Sequence, residues 1–259
     1  MVGLTSCTGL FDSIYDDPDQ NAVPTDVVDN QSGDSTSVTA VTGQLYIEAN
    51  SWTDWFYIDL QALADTATRQ QAIEQAHYPY PIPTDLTTGS DDGTTGIYTY
   101  WFDVWGKGIS VNEYRAFTPT DAQPAPPSWS VAVHRNNVRT NGGAVAETQL
   151  TDISLLDMRP AELEKLHFTA DEWTENVVWA EQSQMLNSLI GSQGIAVNRV
   201  LSSWLQIEVP PMPPAFTHNN HVFVLRMADD SYAALQLADY LSPSGTKCCL
   251  TIKWRMMMQ

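Results

Sequence analysis

The imidazole and sulfur side chains able to ligate a transition metal are few: five histidines, three cysteines and eight methionines in 259 residues. His218 and His221 have the spacing of a metal pair, but they lie on a short loop entering a strand with no third ligand placed beside them, so a solvated turn is expected. His134 ends an alternating stretch next to Arg135 and reads as a hydrogen-bonded structural histidine. His77 closes a helical stretch, where a basic group suits the helix dipole, and His167 stands alone. Cys7 and the adjacent pair Cys248-Cys249 cannot form a disulfide framework, because neighbours in an extended strand point to opposite faces. Met212 is unusual, since it sits within Pro210-Pro211-Met212-Pro213-Pro214. Those prolines fix φ and remove backbone donors, so the loop cannot run inside a sheet and presents Met212 from a stiff, extended scaffold. A thioether is a soft, neutral metal donor, and equally a filler of core gaps.

Other groups point to binding rather than chemistry. The aromatic stretch Tyr98-Thr99-Tyr100-Trp101-Phe102-Asp103-Val104-Trp105 suits a stacking platform or one face of a core strand. No Gly-x-Ser-x-Gly, phosphate-binding glycine loop or His-Glu-x-x-His occurs, and no nucleophile and base are placed together, so an enzyme is not expected. Carboxylate pairs abound only because the chain is acidic: 31 Asp plus Glu against 12 Lys plus Arg give a net charge of -19. That field repels phosphate backbones, which argues against a nucleic-acid partner. The apolar runs fall short of the roughly 18 residues that cross a bilayer, so any membrane link is expected to be an anchor.

The elements that must position these groups are mostly strands. Thr8 to Ala40 holds seven Asp and no Lys or Arg, with many Ser, Thr, Asn and Pro. It cannot bury enough apolar area to offset its ordering entropy and reads as a solvated tether over 7–40. From 41 to 259 a single β-rich domain is expected. Strands are read at 44–48, 55–60, 97–105, 129–134, 222–227, 231–237 and 248–254, with a hairpin at Gly106-Lys107-Gly108. One helix is expected over 60–77, stopped by Pro79 and Pro81, and further helix signals stand at 161–166 and 192–203. The fold class is therefore mainly β, built of antiparallel sheets with helical insertions.

Three stretches together resemble the HmuY-like haem-binding lipoproteins of anaerobic Gram-negative bacteria. They are Trp129-Ser130-Val131-Ala132-Val133-His134-Arg135 with Val138-Arg139-Thr140-Asn141-Gly142-Gly143, then Trp204-Leu205 through Pro210-Pro211-Met212-Pro213-Pro214-Ala215-Phe216, and the hairpin around Val222 to Arg226 and Leu235 to Tyr240. Leu4-Thr5-Ser6-Cys7 resembles a lipobox, which implies that 1–6 is the end of a signal peptide, that Cys7 is lipidated, and that the protein sits at the outer membrane or cell surface. The chain departs from the family in the long stretch 60–126, which reads as an insertion, and in Asp230, which stands where a turn glycine is usual. Cys248-Cys249 has no role that the resemblance supplies.

The resemblance implies haem held between two axial side chains and passed to a TonB-dependent outer-membrane receptor. A gap-free alignment from Trp204 to Arg226 sets the best-known member's second ligand histidine on Val209, which cannot bind iron, whereas the methionine-ligated relatives carry a Pro-flanked Met like Met212. The first-ligand region falls near 179–188, where Met185 is the sulfur donor. Met185 and Met212 are the implied axial pair, which adds no charge and favours ferrous over ferric iron relative to two histidines. Without the resemblance both read as packing residues. Arg139, Arg199 and Arg226 could meet haem propionates, or pair with the chain's many acids. The rival reading is a surface lipoprotein that uses the same scaffold to bind a glycan or protein partner, with 60–126 as its working surface.

Overall fold

The computed structural model describes residues 40–82, 97–103, 112–118, 124–157, 159–181, 189–208 and 213–257. The largest unit is a six-stranded antiparallel sheet. In spatial order it runs β1 (Ala40–Glu48), β16 (Lys247–Met257), β15 (Tyr232–Leu241), β14 (Val222–Arg226), β8 (Ala144–Glu147) and β9 (Thr169–Ala170). A four-stranded antiparallel sheet lies in the order β3 (Tyr80–Pro81), β2 (Asp54–Ile58), β6 (Val131–His134) and β7 (Asn137–Thr140).

The main core contains Phe56, Ile58, Val131 and Val133 from the smaller sheet and Ile47, Phe223, Leu225, Leu235 and Ile252 from the larger. Alternate residues of the same strands serve other cores. Trp55, Tyr57 and Ala132 pack with Ile195 and Val197, and Val222 and Val224 pack with Leu156 and Leu163. A strand covered on both faces needs an unbroken apolar run, which Val222-Phe223-Val224-Leu225 supplies. Outer layers come from a 3-10 turn at Ile153–Leu155 and from α3 (Pro160–Leu163).

The single helix expected over 60–77 is two helices, α1 (Leu60–Ala64) and α2 (Arg69–His77). Asp59 caps α1 by accepting from Ala62 N at 2.9 Å. The break is made by side chains bonding to backbone: Asp65 Oδ1 accepts from Ala67 N at 2.9 Å, and Thr68 Oγ1 donates to Ala62 O at 2.9 Å. Such local bonds compete with helical ones. Leu60, Leu63, Ala72 and Ala76 bury both helices in the main core.

The helix signals at 192–203 are corrected more strongly. Leu189–Val197 is a strand, β11, paired with β10 (Glu172–Glu181) on one side and β4 (Ile97–Asp103) on the other. Only Arg199–Ser202 is helical, as α4. β4 pairs antiparallel with β5 (Asn112–Thr118), so the sheet runs β10-β11-β4-β5, while the expected turn at Gly106-Lys107-Gly108 lies outside the described residues. β12 (Leu205–Glu208) and β13 (Ala215–His218) form a separate two-stranded hairpin. Asp230 adopts φ 63°, the left-handed conformation for which a glycine is the usual choice.

Candidate ligand site

The two candidate methionines belong to segments that join the strands of two hairpins. β10 and β11 pair from Glu172 with Val197 outward to Glu181 with Gly191, with two register irregularities on the way. Met185 falls in the intervening 182–188, outside the described residues. β12 and β13 pair from Leu205 with His218 outward to Glu208 with Ala215. Met212 falls between them, and it too lies outside the described residues, as does Cys7. The side chains of Tyr98, Tyr100, Trp101 and Trp105 are likewise not described.

What the structure does place is the base of each hairpin. At β12–β13, Phe216 stacks on Tyr240 with centroids 5.9 Å apart and planes 4° from parallel, and Lys247 Nζ lies 4.3 Å from the Phe216 ring. His218 Nε2 donates to Leu237 O at 2.6 Å, and its ring packs against Trp204 and Tyr240. Trp204 is fully buried and donates from Nε1 to Asn136 O at 3.1 Å. Asn219 closes the hairpin, its backbone N donating to Trp204 O at 3.1 Å and its Nδ2 to Ser203 O at 3.1 Å.

At the base of β10–β11 lies a half-buried carboxylate that the sequence did not single out. Asp171 accepts from Thr140 and Asn198. Burial pushes its carboxyl above the usual carboxylate range, opposed by these donors and by the Arg139 guanidinium. Arg139 itself lies among rings, its Cζ 4.6 Å from the Trp55 centroid and 5.3 Å from those of Tyr57 and Trp129. It also donates to the Tyr57 hydroxyl, which in turn donates to Pro124 O at 2.9 Å. Burial lowers the Arg139 pKa, while Tyr57 and Asp171 act to restore it. The one readable signal here was Asn198, a good N-cap type immediately before a helical tetrad. Nothing local marks Asp171.

The remaining candidates are held within the fold. His134 is fully buried, donates from Nδ1 to Asp54 O at 2.9 Å and faces Trp55 at 5.5 Å, as a structural histidine does. His77 Nδ1 donates to Ile73 O at 2.7 Å at the end of α2. His221 Nδ1 lies 2.6 Å from Glu147 Oε1, and His167 is exposed. Among the described residues no group of three or more His, Cys, Asp or Glu is arranged to hold a metal ion. Arg199 forms an ion pair with Glu172, whereas Arg226 lies over the Phe168 ring at 5.2 Å. Cys248 and Cys249 are both buried and free. Burial pushes the Cys249 thiol up to about 11, so it stays a protonated, unreactive core group at neutral pH.

The fold and the sequence agree with one set of relatives. No curated protein matches the sequence. Among solved structures, a Bacteroides vulgatus protein described as HmuY-like and heme-binding is 24% identical, with a TM-score of 0.56 over 90% of this chain and 100% of its own. A Bacteroides fragilis protein described as a lipoprotein is also 24% identical, with a TM-score of 0.56 over 87% of this chain and 95% of its own. The apo HmuY analog of Tannerella forsythia is 19% identical, with a TM-score of 0.59 over 85% and 97%. These likenesses establish a shared, mainly antiparallel β fold. The family model described as HmuY protein matches residues 51–254, most of the domain and both methionine-bearing segments, and on that match the chain belongs to the HmuY family.

Proposed function

We propose that this protein is a surface-displayed lipoprotein that captures haem between Met185 and Met212 and passes it to an outer-membrane receptor without altering the porphyrin. The observation that carries this reading is the family match over 51–254, which spans both methionines. Two of the similar structures are described by their names as HmuY-like and heme-binding or as a HmuY analog. The donor chemistry fits a haem iron ligated by sulfur: Met212 is flanked by prolines, while His134 and His218 are packed against aromatic rings inside the fold. When bound, haem supplies the iron and the flat apolar ring; the protein's part is to present two neutral thioethers from hairpins with rigid bases. Anchoring through Cys7 and the acidic tether over 7–40 would hold the domain clear of the membrane. The similar Bacteroides fragilis structure is described as a lipoprotein, and no helix among the described residues is long and apolar enough to cross a bilayer.

A visible-absorption titration with haem, oxidised and reduced, tests this on the wild type and on Met185→Ala and Met212→Ala. The expected result is saturable one-to-one binding with low-spin bands, stronger when reduced and lost in either variant. Absence of saturable binding in both redox states would overturn haem capture. Binding that survives both substitutions would overturn methionine ligation.

A further inference from the structure

The β10–β11 hairpin leaves the body of the fold at two adjoining points, and both are tied to one carboxylate. Asp171 immediately precedes β10 and Asn198 immediately follows β11. Asp171 Oδ2 accepts from Thr140 N at 2.8 Å. Asp171 Oδ1 accepts from Thr140 Oγ1 at 2.9 Å and from Asn198 Nδ2 at 3.1 Å. Thr140 is the last residue of β7, and its hydroxyl is fixed in turn by accepting from Gly143 N at 3.1 Å. Asn198 is fully buried and fully engaged: Nδ2 also donates to Thr169 O at 2.9 Å, Oδ1 accepts from Leu201 N at 2.9 Å, and its backbone N donates to Val138 O at 2.9 Å. One carboxylate thus joins the end of β7, the start of β10 and the end of β11. Through the Asn198 cap it also reaches α4, the short helix that leads through Trp204 directly into β12.

We infer that Asp171 is a positioning residue, a half-buried joint that locks both ends of the β10–β11 hairpin to β7 and α4 and so fixes this hairpin relative to β12–β13. The role given to Met185 and Met212 rests on the haem reading, whereas the joint rests on the hydrogen bonds alone. A carboxylate is required because an acceptor must face donors from two sides, and an amide in its place would aim its own N–H group at one of them. Arg139 adds a charge from β7 that partly opposes the burial pushing the Asp171 carboxyl up.

The test is Asp171→Asn in the full chain, read first by residue-resolved amide hydrogen exchange without haem. Amides of β10 and β11 should exchange about tenfold faster, the factor carried by one lost hydrogen bond to a charged group, while those of β14, β15 and β16 keep wild-type rates. Thr140→Val, which removes one donor and keeps the shape, should give the same pattern at smaller amplitude and serves if the first variant fails to fold. Uniform acceleration in all strands, or unchanged rates in β10 and β11, would overturn the joint. Haem titration of the same variants separates the two claims. A wild type that binds no haem, with the hairpin still loosened by the substitution, defeats the haem reading and leaves the joint standing. A wild type that binds haem, with a variant whose loosened hairpin binds it equally well, overturns the positioning role.

Discussion

The body of the fold and the β12–β13 hairpin are built on different principles. In β14 the residues Val222, Phe223, Val224 and Leu225 are all fully buried, with alternate side chains committed to two separate cores. In β12 and β13 the pattern is interrupted: Gln206, Glu208, Ala215 and Thr217 are exposed, and Phe216 and His218 are only half-buried. The body strands are fixed by packing on both faces, so their geometry is over-determined. The hairpin is fixed at a few contacts near its base, and its outer face is free of packing constraints. A residue can change at the end of such a hairpin without cost to the core. Substitutions in the body should therefore act on stability, and substitutions at a hairpin base should act on binding.

The largest effect expected on that comparison is Phe223→Ala. Phe223 has no exposed surface and belongs to the main core. Truncation leaves a cavity in a strand pinned by neighbours on both sides, costing about 3–5 kcal/mol, measured from the shift in denaturation midpoint at constant m-value. Haem affinity measured well below that midpoint should be unchanged. A loss under about 1 kcal/mol would mean that the core relaxes around the missing ring, and the body would not be the rigid partner described here.

Gly43→Ala follows. Gly43 in β1 lies against the indole of Trp254, and an added Cβ would stand 2.4 Å from Trp254 Cζ2. Trp254 is 1% exposed and cannot swing into solvent. The strand or the ring must shift, an overpacking cost of about 1–3 kcal/mol. Differential scanning calorimetry would show the lower midpoint, and an unchanged one would mean that the β1 edge moves freely.

Much of the body is legible in the sequence because its signals are local. The alternation of Trp129 to His134, the apolar run from Val222 to Leu225 and the polar interruptions between them mark strands that the structure contains. Where reading failed, the deciding interactions came from elsewhere. Ile195 and Val197 make β11 a strand because they pack on Trp55, Tyr57 and Ala132, while its Gly, Ser and Gln residues carry no strand signal of their own. The break between α1 and α2 depends on two side chains that bond to backbone rather than on a Pro or Gly. Asp171 is one acid among many in an acidic chain, and only Thr140 and Asn198, both far away in sequence, make it distinctive. Met185 and Met212 emerged from the family resemblance, with the proline bracket of Met212 as the one physical cue.

Phe216→Ala sharpens the comparison from the hairpin side. Phe216 packs against both Tyr240 and Lys247, and these contacts hold β13 against the end of β15 and the start of β16. Their loss should cost about 1 kcal/mol in stability, since a half-buried aromatic pair and a half-buried cation over a ring each contribute modestly. On the haem reading, haem affinity should fall by a larger factor than that stability change implies, because β13, the strand that follows Met212, loses its hold on Tyr240. Parallel denaturation and haem titrations would check this, and equal losses in both would place Phe216 with the body.

Asp230 should give the smallest effect, and it isolates backbone conformation from packing. Its φ of 63° places it in the left-handed region, in a turn where its backbone N donates to Met227 O at 3.0 Å and its side chain is exposed. Asp enters this region more cheaply than most residues, and Gly more cheaply still, but Gly also gains freedom in the unfolded chain. The two effects nearly cancel, so Asp230→Gly should change stability by no more than about 0.5 kcal/mol. Asp230→Ala has no such compensation and should lose about 1 kcal/mol. Asp230→Asn keeps the tolerance and removes the charge, so it should match the wild type unless self-repulsion in this acidic chain matters. If Ala equals Gly in denaturant midpoint, the turn adopts another conformation at no cost; if Asn exceeds Asp, the charge rather than the backbone governs this position.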